Sequence, residues 1–181
     1  MTSRALSSVT TRRATPADAR LLAELALTTF IETFARDNTR ENMALYMAKS
    51  FGEAIQHDEL ADPRTVVFFA ERDGETVGYT MLRDGPPPDA RDDAEAIEIA
   101  RLYSATHLIG AGVGATLMRR CIDEAVARGR RTLWLGVWER NARAIAFYRR
   151  WGFTDVGSQY FMLGDDRQTD RVMARHVGEE G

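Results

Sequence analysis

The chain has 181 residues, 44% of them hydrophobic and 28% charged, enough for one α/β domain with a core and too few for two of ordinary size. A formal net charge of −3 provides no global basic field for nucleic acid. The single cysteine, Cys121, excludes an internal disulfide and a cysteine-rich metal site, and His57, His107 and His176 are scattered without ligand spacing.

No run approaches the roughly 18 apolar residues of a membrane span, and the first ten residues lack the apolar stretch of a secretion signal. The expectation is a cytoplasmic protein with no metal and no nucleic-acid or membrane partner; a homodimer is left open. A single domain is expected over residues 9–177, after a flexible segment 1–8 and before a tail 178–181.

In chain order, Thr15-Pro16-Ala17-Asp18 opens a first helix with a capping residue and a proline at the first helical position, and Leu21, Leu22, Leu25 and Thr29 follow at helical spacing. A second helix starts at Thr39 and a short third covers 53–60. Residues 65–71 and 76–82 read as strands joined by an Asp73-Gly74 hairpin turn. Gly85 to Pro88 breaks the chain, and 96–104 reads as the next strand. Residues 113–128 form a strong helix with Val113, Leu117, Cys121 and Ala125 on one side and Gly129 as its stop. A buried strand over 132–137 precedes a helix over 142–150, which Asn141 caps and Gly152 ends. Strands near 160–163 and 171–175 complete the chain. This order implies an α/β mixed sheet with helices on both faces, not a doubly wound one.

Ile109-Gly110-Ala111-Gly112-Val113-Gly114, with Ala115 after it, runs from a loop into a helix. Glycines allow close backbone approach to an anion, and the free amides of a helix N-terminus supply donors, so a pyrophosphate is the natural guest. A glycine turn used only for packing is the plainer alternative. Gly110, Gly112 and Ala115 also satisfy a dinucleotide fingerprint, with Glu139 where a ribose-binding acid would stand. Against that oxidoreductase reading, Ala105 to Ile109 separate strand from glycine, Glu98 places a charge in the strand, and too few strands follow Glu139.

The segment from Ile97 to Gly114 resembles the acyl-CoA motif of the GCN5-related N-acetyltransferases: Leu102-Tyr103-Ser104 matches the strand end, and Gly112 and Gly114 the glycines. Ser104 stands where valine is usual, and Ile109 where the family carries arginine or glutamine. Trp134 to Asn141, then Ala144 to Tyr148 and Gly152-Phe153, are similar to the second coenzyme A motif. Glu32-Thr33-Phe34, Asn38, and the tail from Phe161 through Asp165-Asp166 and Gln168-Thr169-Asp170 to Met173 resemble the PaiA-type spermidine/spermine acetyltransferases. The likeness spans about Val9 to Val177.

The resemblance implies a central, mostly antiparallel sheet, acetyl-CoA as co-substrate without a metal, and direct transfer of acetyl to a primary amine of a small molecule, a polyamine foremost. Backbone groups of Leu102, Tyr103 and Ser104 would pair with pantetheine, and Asn141 would hydrogen-bond to it. Tyr148 would protonate the departing thiolate; seven residues after Asn141, it lies on the same helical side. An alkylammonium near pKa ~10.4 must lose a proton, and the family uses an acid at the position of Glu98, directly or through water. Strand alternation places Glu98 on one face with Ala100 and Leu102; a carboxylate paired with arginine is its structural alternative. Glu32, Asp165 and Asp166 are candidates for attracting a polycation, and His107 for the pocket mouth. Arg128, Arg130 and Arg131 read either as a solvated helix end or as a contact to the coenzyme's 3′-phosphate. With Ile109 and Ser104 departing from the family pattern, a non-catalytic acyl-CoA sensor is a further alternative.

Overall fold

The computed structural model describes residues 8–90 and 93–178. Apart from Ser8 and Gly178, the expected flexible N-terminus and tail lie outside the described residues. A seven-stranded sheet runs in the order β1 (Thr10–Arg13), β2 (Thr65–Arg72), β3 (Glu75–Asp84), β4 (Ala96–Ser104), β5 (Thr132–Trp138), β7 (Asp166–His176), β6 (Thr154–Leu163). Helices α1 (Ala19–Phe34), α2 (Arg40–Ser50) and α3 (Glu53–Ala61) precede β2; α4 (Val113–Ala127) follows β4 and α5 (Ala142–Arg150) follows β5. Only β4 and β5 pair in parallel; every other neighbour is antiparallel. That topology removes the dinucleotide alternative, which needs a parallel sheet.

The local signals explain most boundaries. Thr39 Oγ1 accepts from the Asn42 amide at 3.2 Å and starts α2, and Asn141 Oδ1 accepts from the Ala144 amide at 3.2 Å and starts α5. Asp73 and Gly74 take φ of 54° and 82°, the paired positive dihedrals of a two-residue hairpin turn. Four features depart from expectation. Pro16–Asp18 forms a 3₁₀ turn ahead of α1. Thr106–Leu108 forms a second one after β4. The short polar strand β1 pairs with β2 at the sheet edge. Strands β6 and β7 begin six and five residues before their expected starts.

Alternate residues of the strands feed two cores. On one face Phe68, Leu82, Ile97, Ile99, Leu133 and Leu135 pack with Met118 and Cys121 of α4 and Ile145 and Tyr148 of α5. On the other, Val67, Phe69, Tyr79 and Met81 pack with Leu22 and Ala26 of α1. Cys121 is fully buried, 3.2 Å from Thr80 Oγ1, with its thiol pushed up to about 12 by desolvation, so it is the inert small hydrophobe expected of a buried position.

Candidate active site

The sheet parts at its centre. β4 and β5 pair only from Ala96–Thr132 to Glu98–Trp134. Just beyond, Met81 and Leu82 of β3 face Arg101 and Ile99, so Ala100 is an extra residue, a bulge that bends β4 away from β5. The bulge also resets the alternation. Ala100 packs with Tyr103 on the α1 face, while Leu102 turns into the core under α4. Glu98 therefore does not share a face with Leu102 as strict alternation would have it. One face of the cleft belongs to α4 and α5, the other to α1 and α2.

A cavity of about 610 Å³ occupies this parting. Leu102, Tyr103, Ser104, Ile109, Gly110, Gly112, Gly114, Ala115, Asn141, Tyr148 and Glu98 all line it. Of the residues expected to bind the carrier, Ala111 and Val113 do not. The Ala111 amide closes a turn onto the Leu108 carbonyl at 3.0 Å, and the Val113 side chain is buried against Leu117. The first α4 bond runs from the Thr116 amide to the Gly112 carbonyl. Among the described residues the amides of Gly110, Gly112, Val113, Gly114 and Ala115 donate to nothing. Gly110 and Gly112 adopt φ of 86° and 88°, and a Cβ there would meet nothing but the open cleft. Free amides converging on an open turn at a helix N-terminus fit a pyrophosphate. The β4 edge past Glu98 offers unpaired backbone groups that fit the amides of a pantetheine arm.

Tyr148 reaches the cavity from the α5 face. It is 9% exposed, desolvation holds its phenol well above the usual range, and its hydroxyl makes no hydrogen bond among the described residues. Asn141 lines the cavity and spends its oxygen on the α5 cap, and its amide nitrogen makes no hydrogen bond among the described residues. On the opposite face, burial raises the Glu98 carboxyl, opposed by Arg83 and then Arg101. The carboxylate paired with arginine is not Glu98 but Glu59, which Arg101 grips at 2.9 and 3.0 Å. Tyr103 sends its ring to the α1 face, between Tyr79 and Phe34.

Several lining groups were not assigned to the site in the sequence, although some of them carried the PaiA-type likeness. Phe30, Phe34, Tyr46, Phe51 and Phe161 form an aromatic wall, with Phe30 stacked on Tyr46 at 4.7 Å between centroids. The helical spacing of Phe30 and Phe34 and the PaiA-type likeness at Phe34 and Phe161 were its advance signs. Gln168 lines the cavity and donates to Asn38 Oδ1 at 2.7 Å, tying β7 to the segment between α1 and α2. Asp170 and Gln159 face the same space. Asp170 is 9% exposed and its carboxyl rises to about 6 through desolvation, with a hydrogen bond from Gln159 working against that rise.

Other candidates fall outside the cleft. Glu32 accepts from Thr106 Oγ1 at 2.6 Å and holds the turn after β4. Asp165 and Asp166 line a separate shallow depression with Asp37 and Asn42. His107 is exposed and does not line the cavity. Arg128 and Arg130 both pair with Asp84 at 3.1 Å, and Arg128 also pairs with Glu124, at the far end of α4 from the glycine turn. These two arginines belong to the structure of that helix end.

A turn of free amides beside the open edge of a parted sheet suits a transferase that draws an acyl group from a nucleotide-bearing thioester. Residues 26–153 match the profile of the Acetyltransferase (GNAT) family. An uncharacterized N-acetyltransferase of Lactobacillus delbrueckii subsp. lactis is 35% identical over 147 residues, 81% of this chain and 85% of that one. Another from Mycobacterium tuberculosis is 34% identical over 160 residues, 88% of this chain and 98% of its own. The crystal structure of a PaiA N-acetyltransferase from Thermoplasma acidophilum in complex with coenzyme A is similar at a TM-score of 0.77 and 18% identity, covering 94% of this chain and 99% of that one. The chain belongs to the GNAT family of acetyltransferases, with acetyl-CoA as its co-substrate. No helix among the described residues is long and apolar enough to cross a membrane.

Proposed function

We propose that the chain acetylates a primary amine of a small cationic acceptor, a polyamine foremost, within a ternary complex in the cytoplasm. The observation that carries this reading is the two-sided cleft. Tyr148 stands on the α5 face, and Glu98, Asp170 and an aromatic wall stand on the α1 face. Aromatic faces attract ammonium groups at about 0.5–2 kcal/mol each, and unneutralised carboxylates add to that attraction.

In this reading the amides of Gly110, Gly112, Val113, Gly114 and Ala115 hold the pyrophosphate. Backbone groups of Leu102 to Ser104 and the Asn141 amide align the pantetheine arm, and a β4 amide polarises the acetyl carbonyl. Acetyl-CoA supplies the activated acyl group. Glu98 draws away through water one of the two protons that the acceptor ammonium sheds in becoming an amide, as the amine lone pair forms the C–N bond. As the C–S bond breaks, Tyr148 gives its proton to the thiolate and regains one from solvent. Ile109 removes a side-chain donor from the phosphate site, so binding there rests on the backbone amides.

The test is thiol release from acetyl-CoA across polyamines, amino acids, peptides and aminoglycosides. Turnover confined to spermidine and spermine supports the reading in full. Turnover with another amine removes the polyamine claim and keeps the enzyme. Tight coenzyme A binding without release on any acceptor favours an acyl-CoA sensor instead.

A further inference from the structure

Gly136 sits on β5 two residues past Trp134, where the pairing with β4 ends, or roughly 7 Å into the parting of the sheet. A Cβ at Gly136 would lie 3.2 Å from Asp170 Oδ2 and would collide with the Gln159 amide. The missing side chain is therefore what lets the Gln159 amide reach over β5, close beside the Asp170 carboxylate at the lip of the opening. Glu98 stands at the closed end, on the last paired residue of β4.

The two carboxylates differ in what surrounds them. Glu98 faces Arg83 and Arg101, two cations that favour its charged form and repel an incoming ammonium. Asp170 has no cationic partner among the described residues; its polar neighbour is the neutral Gln159 amide. A carboxylate 9% exposed, without a cation and open to a cavity attracts the acceptor's charge more strongly than one already beside two arginines. A proton acceptor works best when it titrates near the operating pH, and the desolvated Asp170 carboxyl, at about 6, meets that condition.

We infer that Asp170, held over Gly136 by Gln159, takes the proton directly from the acceptor ammonium, while Glu98 is the inner end of the water path. This rests on the acetyl-transfer reading above. The ammonium first pairs with Asp170. One N–H proton passes to the carboxylate and frees the nitrogen lone pair to form the C–N bond. The C–S electrons leave with sulfur, which Tyr148 protonates, and the second N–H proton leaves the new amide nitrogen through the water path that ends at Glu98. Asp170 and Glu98 then pass their protons to water and Tyr148 regains one from it, so ammonium and thioester give amide, thiol and one proton released to solvent.

The experiment is the pH dependence of kcat/KM for the best amine, in the wild type, Asp170→Asn, Glu98→Gln and Gln159→Met. The wild type should lose activity on the acid side through about pH 6. Asp170→Asn should abolish that limb and lower kcat about 100-fold with the KM for acetyl-CoA unchanged. Glu98→Gln should slow turnover and keep the limb. Gln159→Met removes the hydrogen bond that favours the carboxylate, so the limb should move to higher pH. It gives a second readout should Asp170→Asn fail to fold. A limb that vanishes in Glu98→Gln, or stays put in both Asp170→Asn and Gln159→Met, overturns the assignment while leaving the acetyltransferase intact. Absence of turnover by the wild type on any amine removes the enzyme reading itself, and this inference with it.

Discussion

Both terminal guanidinium nitrogens of Arg101 fork onto the Glu59 carboxylate, at 2.9 and 3.0 Å, next to the charge of Glu98. The pair joins α3 to β4 at the bulge, with the two side chains only 15% and 17% exposed. Arg83 approaches the same carboxylate at 3.9 Å. Glu59 thus absorbs charge that would otherwise fall on Glu98. Glu59→Gln should cost about 3 kcal/mol, the low end for breaking a buried pair, because Arg101 is left without its partner. Urea unfolding checks it, with Glu24→Gln as control. Glu24 pairs with Arg20 on an exposed helix face, so the midpoint should not move.

Tyr148→Phe separates chemistry from packing. The ring contacts Phe147 and Phe153 and belongs to the core under α5, whereas the hydroxyl has no partner within the described chain. Removing it should leave the melting temperature and coenzyme A affinity in place and lower kcat roughly 100-fold, the scale of a lost general acid. Calorimetry and thiol-release kinetics on one preparation decide it. An equal loss of binding would mean that the phenol holds the carrier.

Gly112 and Gly129 flank the two ends of α4 with φ of 88° and 67°, and a Cβ at either would meet no neighbour. Substitution by alanine should therefore cost each about 1 kcal/mol of backbone strain. Only Gly112 borders the cleft. Gly112→Ala should raise the Kd for coenzyme A at least tenfold, and Gly129→Ala should leave it unchanged. Equal affinities would remove the phosphate from the glycine turn.

The resemblance made one half of the candidate site legible because it is built from consecutive residues. A strand end, a glycine turn and a helix start occupy 102–115, and each obeys a local rule. The other half of the cleft is not contiguous. Glu98 and Gly136 come from the parted strands, Phe34 and Tyr46 from the helices, and Gln159 and Asp170 from the last hairpin, and only the sheet order β4-β5-β7-β6 brings them together. Two local events hid its geometry. The bulge at Ala100 breaks the alternation that tied Leu102 to Glu98. Largely exposed residues from Thr154 to Gln159, with Val156 as the one large apolar side chain, concealed the first half of β6, whose register also shifts between Asp155 and Gly157. Since β7 starts at Asp166 and not at Arg171, Gln168 and Asp170 lie on a strand face and not in a loop. Similarly, β1 is four polar residues whose Arg12 is held by Asp18 and Glu71, partners distant in pattern if not in space.

Burial of Asp170 also has a stability signature opposite to that of a paired carboxylate. Desolvation carries its folded-state value from the ordinary 3.8 to about 6, so the native chain binds a proton that the unfolded chain has already released. Between about pH 4 and pH 6 the unfolded state therefore holds fewer protons, and stability falls as pH rises through that window. At one pKa unit per ~1.4 kcal/mol, the penalty at neutral pH reaches up to about 3 kcal/mol. Asp170→Asn removes the ionisation while keeping the shape. It should unfold at higher urea concentration than the wild type at pH 7, and the advantage should shrink to nothing by pH 4. Paired urea titrations at the two pH values measure the difference. A variant no more stable at pH 7 would mean that water or a cation already compensates the carboxylate. The predicted outcome is a residue that weakens the fold so that the cleft presents an unsatisfied negative charge to its substrate.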